Sequence, residues 1–278
     1  MNVSQLLGKI HIPDRIASGS LKSHMYLVFI FLYVPVAIVF VLSFTPREVP
    51  TFPMPGFSLK WYQAVLPPNG NSQLINGLLT SLKIGVISAI GSAIIGTGAA
   101  IGMVRNNIGG RLLNISTLNT VFLAPIVVPW IVTGVAVLAL YSMLGMAGTF
   151  HSLIVGHILI TVPFVVVVVA SQLYGFDQSL EEAAKDLGAS KLRTFREVTV
   201  PLIAPGIIAG MLFAFTLSFD NFTQTFFWTE STTQTLPIVI YSQIQFGLSP
   251  EINVVGSLIV ILSLCIALIA ERLSQRVG

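Results

Sequence analysis

Nine of the 25 residues at positions 177–201 are charged, in a chain where charged residues make up only 9% of the total. Apolar blocks of about twenty residues, the length needed to cross a hydrocarbon core, flank this stretch on both sides. A polar segment held between two such blocks cannot rest in lipid, where nothing solvates a charge. It must lie at the bilayer surface and face water or a partner.

Composition points the same way. Hydrophobic residues are 54% of the chain and mean hydropathy is +0.87, above ordinary soluble domains. Six apolar blocks are read, at about 25–44, 78–103, 117–144, 152–173, 202–222 and 253–271. The predicted fold class is therefore an all-α integral membrane protein of six transmembrane helices, with a cytoplasmic helix-turn-helix between the fourth and fifth. The expected organisation is an N-terminal segment 1–24, a transmembrane domain 25–272 that includes the loop 177–201, and a tail 273–278. The first block is too long for a signal-peptide core and lacks a clear small-residue cleavage site, so it is expected to be retained.

Lys and Arg set the expected orientation. With both termini in the cytoplasm, the inner segments hold Lys9, Arg15, Lys22, Arg105, Arg111, Lys185, Lys191, Arg193, Arg196, Arg272 and Arg276. The outer side holds only Arg47, Lys60 and Lys83. Eleven against three places the 177–201 hairpin in the cytoplasm and explains the basic pI of about 9.1. No basic patch is interleaved with aromatics, so nucleic-acid binding is not expected.

The hairpin has a local logic of its own. Ser179 precedes Glu182 by three residues, the spacing of a capping box. Leu180, Ala183, Ala184 and Leu187 then form one narrow apolar stripe at helical spacing. Gly188 stands where a helix end takes a left-handed residue. Ser190 is placed to cap a second short helix, with Leu192, Phe195 and Val198 on one side and Pro201 stopping it or opening the next span.

Glu182-Ala183-Ala184, then Gly188, then Val198-Thr199-Val200-Pro201 resembles the EAA loop of MetI-like type I ABC importer permeases. Val198 and Val200 stand where that family has Ile and Leu. Stretches 173–189 and 241–253 resemble its spermidine/putrescine branch, the second and smaller permease subunit. The resemblance implies that the loop is a coupling helix docking into a cytoplasmic ABC ATPase dimer, with Glu182 in polar contact, Ala183 and Ala184 packed closely, and Gly188 and Pro201 shaping the turn. It implies a homologous second permease forming a heterodimer, and a periplasmic or extracellular solute-binding protein. It also implies residence in a bacterial cytoplasmic (inner) membrane. ATP and Mg would sit on the partner ATPase, and this chain would bind no cofactor.

Two outward loops, 45–77 and 223–252, are long enough to serve as a docking surface for the binding protein. The second contains Trp228, Thr229 and Glu230, and ends in Ser249-Pro250-Glu251, a cap, first-turn proline and acid for the last span. Gly98 and Gly102, and Gly206 and Gly210, have the spacing that lets membrane helices approach closely. Residues 91–98 have glycines like those of a phosphate loop, but no Lys-Ser/Thr follows, so no nucleotide site is expected in this chain.

For the solute path, the clearest candidate is Asp220 at the end of the fifth span, with Asn221 and Gln224 nearby and Phe213, Phe215, Phe219, Phe222 and Phe226 adding aromatic surface. Asp220 is equally readable as an interfacial acid. Pro125 and Pro129 interrupt backbone pairing in the third span, and Trp130 offers a cation–π face. Polyamine is the first expectation for the solute. The branch carries more acid in these regions than Asp220, Asn221 and Trp130 provide, which keeps opines, phosphonates and amino-acid derivatives open.

Conventional active-site chemistry is not expected. Cys265 is the single cysteine, and His11, His24, His151 and His157 form no cluster with carboxylates. His151 and His157 are six apart, off the spacing of a helical metal pair. His151 is read as interfacial and His157 as packed or hydrogen-bonded near the start of the fourth span. An ATP-independent secondary carrier or channel accounts for the spans and the acid but not for the capped hairpin; a membrane scaffold with no transport role is a third reading, which co-purification of a nucleotide-hydrolysing subunit stimulated by a solute-binding protein would exclude.

Overall fold

The computed structural model describes residues 14–49, 51, 53–66, 72–105, 124–247 and 249–277. Among the described residues every regular element is helical. Residues 1–13, with Lys9 and His11, lie outside them, as do 117–123 of the third expected span, Arg111 and the side chain of Cys265. Among the described residues, four helical stretches are long and apolar enough to cross a bilayer: Leu21–Leu42, Gln73–Arg105, Phe150–Tyr174 and Lys191–Phe219. Trp130–Met143 and Pro250–Ile261 are shorter apolar helices. The chain divides into two compact units, residues Ser72–Ser242 and the segments on either side of them.

In the flanking unit, α1 (Asp14–Leu42) contains Pro35, and α2 (Lys60–Val65) follows the first loop. The last helix, α11 (Pro250–Val277), packs on both. The first turn beyond α1 is tied to α2 by side chains. Ser43 Oγ lies 2.8 Å from the Tyr62 hydroxyl, and Trp61 Nε1 donates to the Thr45 carbonyl at 2.8 Å. A Cβ on Gly256 would sit 3.4 Å from Val39 Cγ1, so the glycine marks the close approach of α11 to α1.

The central unit is built on three mutually packed helices: α3 (Ser72–Arg105), α5 (Phe150–Tyr174) and α8 (Val200–Phe219). Their contact needs small side chains, because helices in lipid gain association from close van der Waals packing. On α3 the small face runs through Gly85, Ala89, Ser92, Ala93, Gly96 and Ala100. A Cβ on Gly96 would meet Val165 at 2.8 Å, whereas one on Gly98 would meet open space. The close approach expected at Gly98 therefore belongs to Gly96. Gly206 and Gly210 do lie against α5, facing Gln172 and Val165. Val165, Val166, Val169, Leu173, Ile203 and Ala214 fill the core, and the Ser92 and Thr161 hydroxyls pair within it at 2.6 Å.

Two expected spans differ in form. The third is interrupted: a helical turn at 124–127 stops at Val128, and α4 (Trp130–Met143) starts afresh behind Pro129. Pro129 cannot donate a backbone hydrogen bond, and it restricts Val128 to non-helical geometry. The fifth ends at Phe219, short of the expected 222. Beyond it, residues 220–228 turn inward and form α9 (Thr225–Trp228), followed by α10 (Leu236–Phe246). Trp228 is fully buried. It belongs to the core and corrects the reading of that residue as part of an outward docking loop.

Candidate functional site

The charged stretch folds as a hairpin. Its first helix, α6 (Ser179–Asp186), is capped two residues earlier than the capping-box spacing suggests: the Ser179 N–H donates to Asp177 Oδ1 at 2.9 Å. The expected Ser179/Glu182 pairing is not made. Asp177 sits two residues before the donor and satisfies it locally, which leaves Glu182 exposed. The Ser179 backbone and then side-chain hydrogen bonds hold the Asp177 carboxyl below its ordinary range, so the cap stays charged at neutral pH.

Gly188 closes α6 with φ at +86°. Its N–H donates to the Lys185 carbonyl at 2.9 Å, and the Ala189 N–H donates to Ala184 at 3.0 Å. This pair of bonds is the Schellman arrangement, which requires the left-handed residue that glycine supplies without a Cβ penalty. Ser190 then caps α7 (Lys191–Thr194) by accepting from the Arg193 N–H at 3.3 Å.

The second helix of the hairpin does not stop at Pro201. It passes through a π-helical turn, Phe195–Thr199, straight into α8, and the continuous helix runs Lys191–Phe219. Pro201 has no N–H, so one backbone bond is missing there; the π-turn, in which the Val200 N–H donates to the Phe195 carbonyl, absorbs the change of register. The second arm of the hairpin and the fifth span thus form one rod.

The apolar stripe is not used internally. Leu187 is 90% exposed and Leu192 75%, and Leu180 and Phe195 are also open. Ala183 is exposed and Ala184 half-buried. One acid of the hairpin that the sequence did not single out is engaged. Glu181 Oε1 accepts from the Thr199 hydroxyl at 2.8 Å and lies 3.5 Å from Arg105 Nε at the end of α3.

A second group of polar residues lies inside the helical core. His157, on α5, is fully buried; its Nδ1 is 2.7 Å from Ser218 Oγ and its Nε2 3.0 Å from Thr225 Oγ1. Asn221 Oδ1 accepts from both the N–H and the hydroxyl of Thr225, and Asn221 Nδ2 donates to Gln224 Oε1 at 2.6 Å. Gln224 Nε2 donates to Thr133 Oγ1 of α4 at 2.9 Å. Buried amides in lipid are tolerated only when paired in this way.

Three of the five path candidates come together. Trp130, Asn221 and Gln224 line one cavity with Pro125, Thr161 and Phe164. Asp220 is the exposed C-terminal cap of α8, and Phe219 stacks on Phe215 with ring centroids 5.7 Å apart. Neither is in the cavity lining. His157 organises this cluster through Thr225. Its role as a hydrogen-bonded packing residue was legible in its position, but its partners, some sixty residues away in sequence, were not.

A family model described as binding-protein-dependent transport system inner membrane component matches residues 92–278, and the chain belongs to that family. It is a permease subunit of an ABC importer, a transport component without its own ATPase. It is 35% identical over 252 residues to the spermidine/putrescine transport system permease protein PotC of Escherichia coli (strain K12), an alignment covering 91% of this chain and 92% of that protein. It is 34% identical over 241 residues to the putrescine transport system permease protein PotI of the same organism, covering 84% and 83% of the two chains. Among solved structures, a bacterial ABC transporter involved in the import of the acidic polysaccharide alginate has the same fold at 16% identity, with a TM-score of 0.67 over 96% of this chain and 98% of that one.

Proposed function

We propose that this permease moves a polyamine, spermidine or putrescine, across the cytoplasmic membrane, and that the 177–201 hairpin is its EAA coupling loop. The observation that carries the reading is the continuous helix Lys191–Phe219. A docking hairpin whose second arm is one rod with a span can carry a displacement from the cytoplasm into the bilayer without a hinge between that arm and the span. The exposed Leu180, Leu187 and Leu192 give that hairpin an apolar face suited to a protein cleft. Glu182 makes the polar contact with the ATPase, Ala183 and Ala184 allow close approach, and Gly188 and Pro201 set the shape.

The chain takes up six spans with both termini in the cytoplasm, and pairs with a homologous permease around the solute path. A binding protein delivers solute from the outer side, and ATP and Mg act on the ATPase dimer. ATP binding shifts the permease pair between inward-facing and outward-facing states by its differential affinity for them. On this half of the path, Trp130 supplies a cation–π face, and the amides of Asn221 and Gln224 supply neutral dipoles. Asp220 guards the approach as an exposed acid, beside Phe219.

Reconstituted with its ATPase, second permease and binding protein, the permease is expected to accumulate labelled putrescine or spermidine only when ATP is present. Proteoliposome uptake checks this. Equal uptake from an ion gradient without ATP would contradict the reading, and ATP-dependent uptake of a phosphonate with no uptake of polyamine would contradict the solute assignment.

A further inference from the structure

Glu181 and its neighbour Glu182 are both first-turn acids of α6, yet the two carboxylates live in different surroundings. Glu182 is open to solvent. The Glu181 side chain is only 14% exposed, and its partner Arg105 only 10%. Three elements meet at this carboxylate. Arg105, at the C-terminal end of α3, approaches it at 3.5 Å; Thr199, in the π-turn before α8, donates to it at 2.8 Å; and α6 carries it. The Arg105 guanidinium also lies over the Phe176 ring, 4.8 Å from its centroid, just beyond α5. Each charge stands at the helix end whose dipole favours it, an acid at the start of α6 and a base at the end of α3.

The pair is not a surface ion pair of small effect. Both groups are largely withdrawn from water, and Arg105 Nε and Nη2 have no hydrogen-bond partner among the described residues. Removing either charge strands the other in a poorly solvated place. The contact also joins parts of the molecule that coupling has to move together. Together with the Thr199 hydrogen bond, it ties α6 to the end of α3 and to the π-turn.

We propose that Arg105 and Glu181 form a transmission link, a positioning pair that makes the docked helix α6 move as one body with α3 and with the π-turn that opens α8. The proposal rests on the hairpin docking to the ATPase. It goes further by assigning to Glu181 a role directed into the permease, opposite in direction to that of Glu182. A link of this kind affects how much transport each hydrolysis event produces, rather than whether the ATPase binds.

The test is the ratio of polyamine taken up to ATP hydrolysed in proteoliposomes holding the full complex with its binding protein. Glu181→Gln and Arg105→Gln are each expected to lower that ratio by about fivefold, within the range by which residues along a coupling route change coupling. Arg105→Lys keeps the charge at the end of α3 and is expected to retain most of the wild-type ratio. If the glutamine variants fail to assemble, Thr199→Val keeps the ion pair, removes one hydrogen bond and is expected to show an intermediate ratio. An unchanged ratio in the variants beside a normally coupled wild type overturns the link alone. Loss of uptake and hydrolysis in equal proportion also overturns it, because that is the behaviour of a fold or docking defect. A wild-type complex whose uptake ignores ATP overturns the docking reading, and the link with it.

Discussion

Gly188→Pro is expected to abolish ATP-dependent uptake while leaving the protein inserted in the membrane. Gly188 holds φ at +86°, and proline is confined near −65°, so the turn between α6 and α7 cannot form around it. The substitution also removes the N–H that donates to Lys185, and with the turn displaced the Ala189-to-Ala184 bond is lost too. The local cost is about 3 kcal/mol or more by analogy with proline in a helix. Gly188→Ala, which pays only the left-handed penalty of about 1–2 kcal/mol, is expected to be milder. No atom lies within 4 Å of a Cβ at this glycine, so the effect reports backbone shape and not a clash. Ala184→Arg reaches the same end by another route, placing a long cation where close approach is needed. Uptake assayed beside the amount of protein in the membrane separates lost coupling from lost protein. Normal uptake by both variants would remove the docking role.

Trp228→Ala is expected to destabilise the permease by about 3–5 kcal/mol, the range for truncating a buried aromatic. The indole is fully buried, its Nε1 donates to the Gly134 carbonyl at 2.9 Å, and its ring meets those of Tyr141 and His157 edge-on at 6.1 and 6.0 Å. Truncation opens a cavity among Ile84, Val137, Tyr141 and Leu153 and leaves a carbonyl without its donor. Gly156 is the counterpart on α5. A Cβ there would lie 2.6 Å from the Trp228 ring, so Gly156→Val overfills the site from the other side. Thermal unfolding of the detergent-solubilised protein measures both. A Trp228→Ala midpoint equal to wild type would show that the inward turn after the fifth span does not hold the core together.

The hairpin was largely legible in the sequence because its determinants are local. Gly188 and Ser190 act on neighbours within a few residues, and the structure gives them the roles their positions imply. The start of α6 was misjudged by one device, since Asp177 competes for the same donor that the capping-box spacing assigned to Ser179 and Glu182. The π-turn was not legible: Pro201 signals a missing donor, and whether a helix ends there or shifts register depends on what packs around it. Glu181 was passed over for the same reason. Its partner Arg105 lies on another helix, and nothing in the intervening sequence brings the two together. The inward turn after Phe219 was hidden because an apolar residue returns at Phe222 just beyond Asp220 and Asn221, so hydropathy averaged over a window extended the span. Hydropathy likewise could not separate Gly98, which faces open space, from Gly96, which faces Val165.

The central claim is that the hairpin is gripped in the cytoplasm by a nucleotide-driven partner. Ala183→Cys in a Cys265→Ser background tests it most directly, because Ala183 is exposed. In inside-out vesicles the account predicts that Ala183→Cys is labelled by a membrane-impermeant maleimide, and that a short bifunctional reagent joins it to the ATPase subunit with a yield that changes on adding ATP. Labelling only from the outer face, or no ATPase adduct under any nucleotide condition, would contradict it.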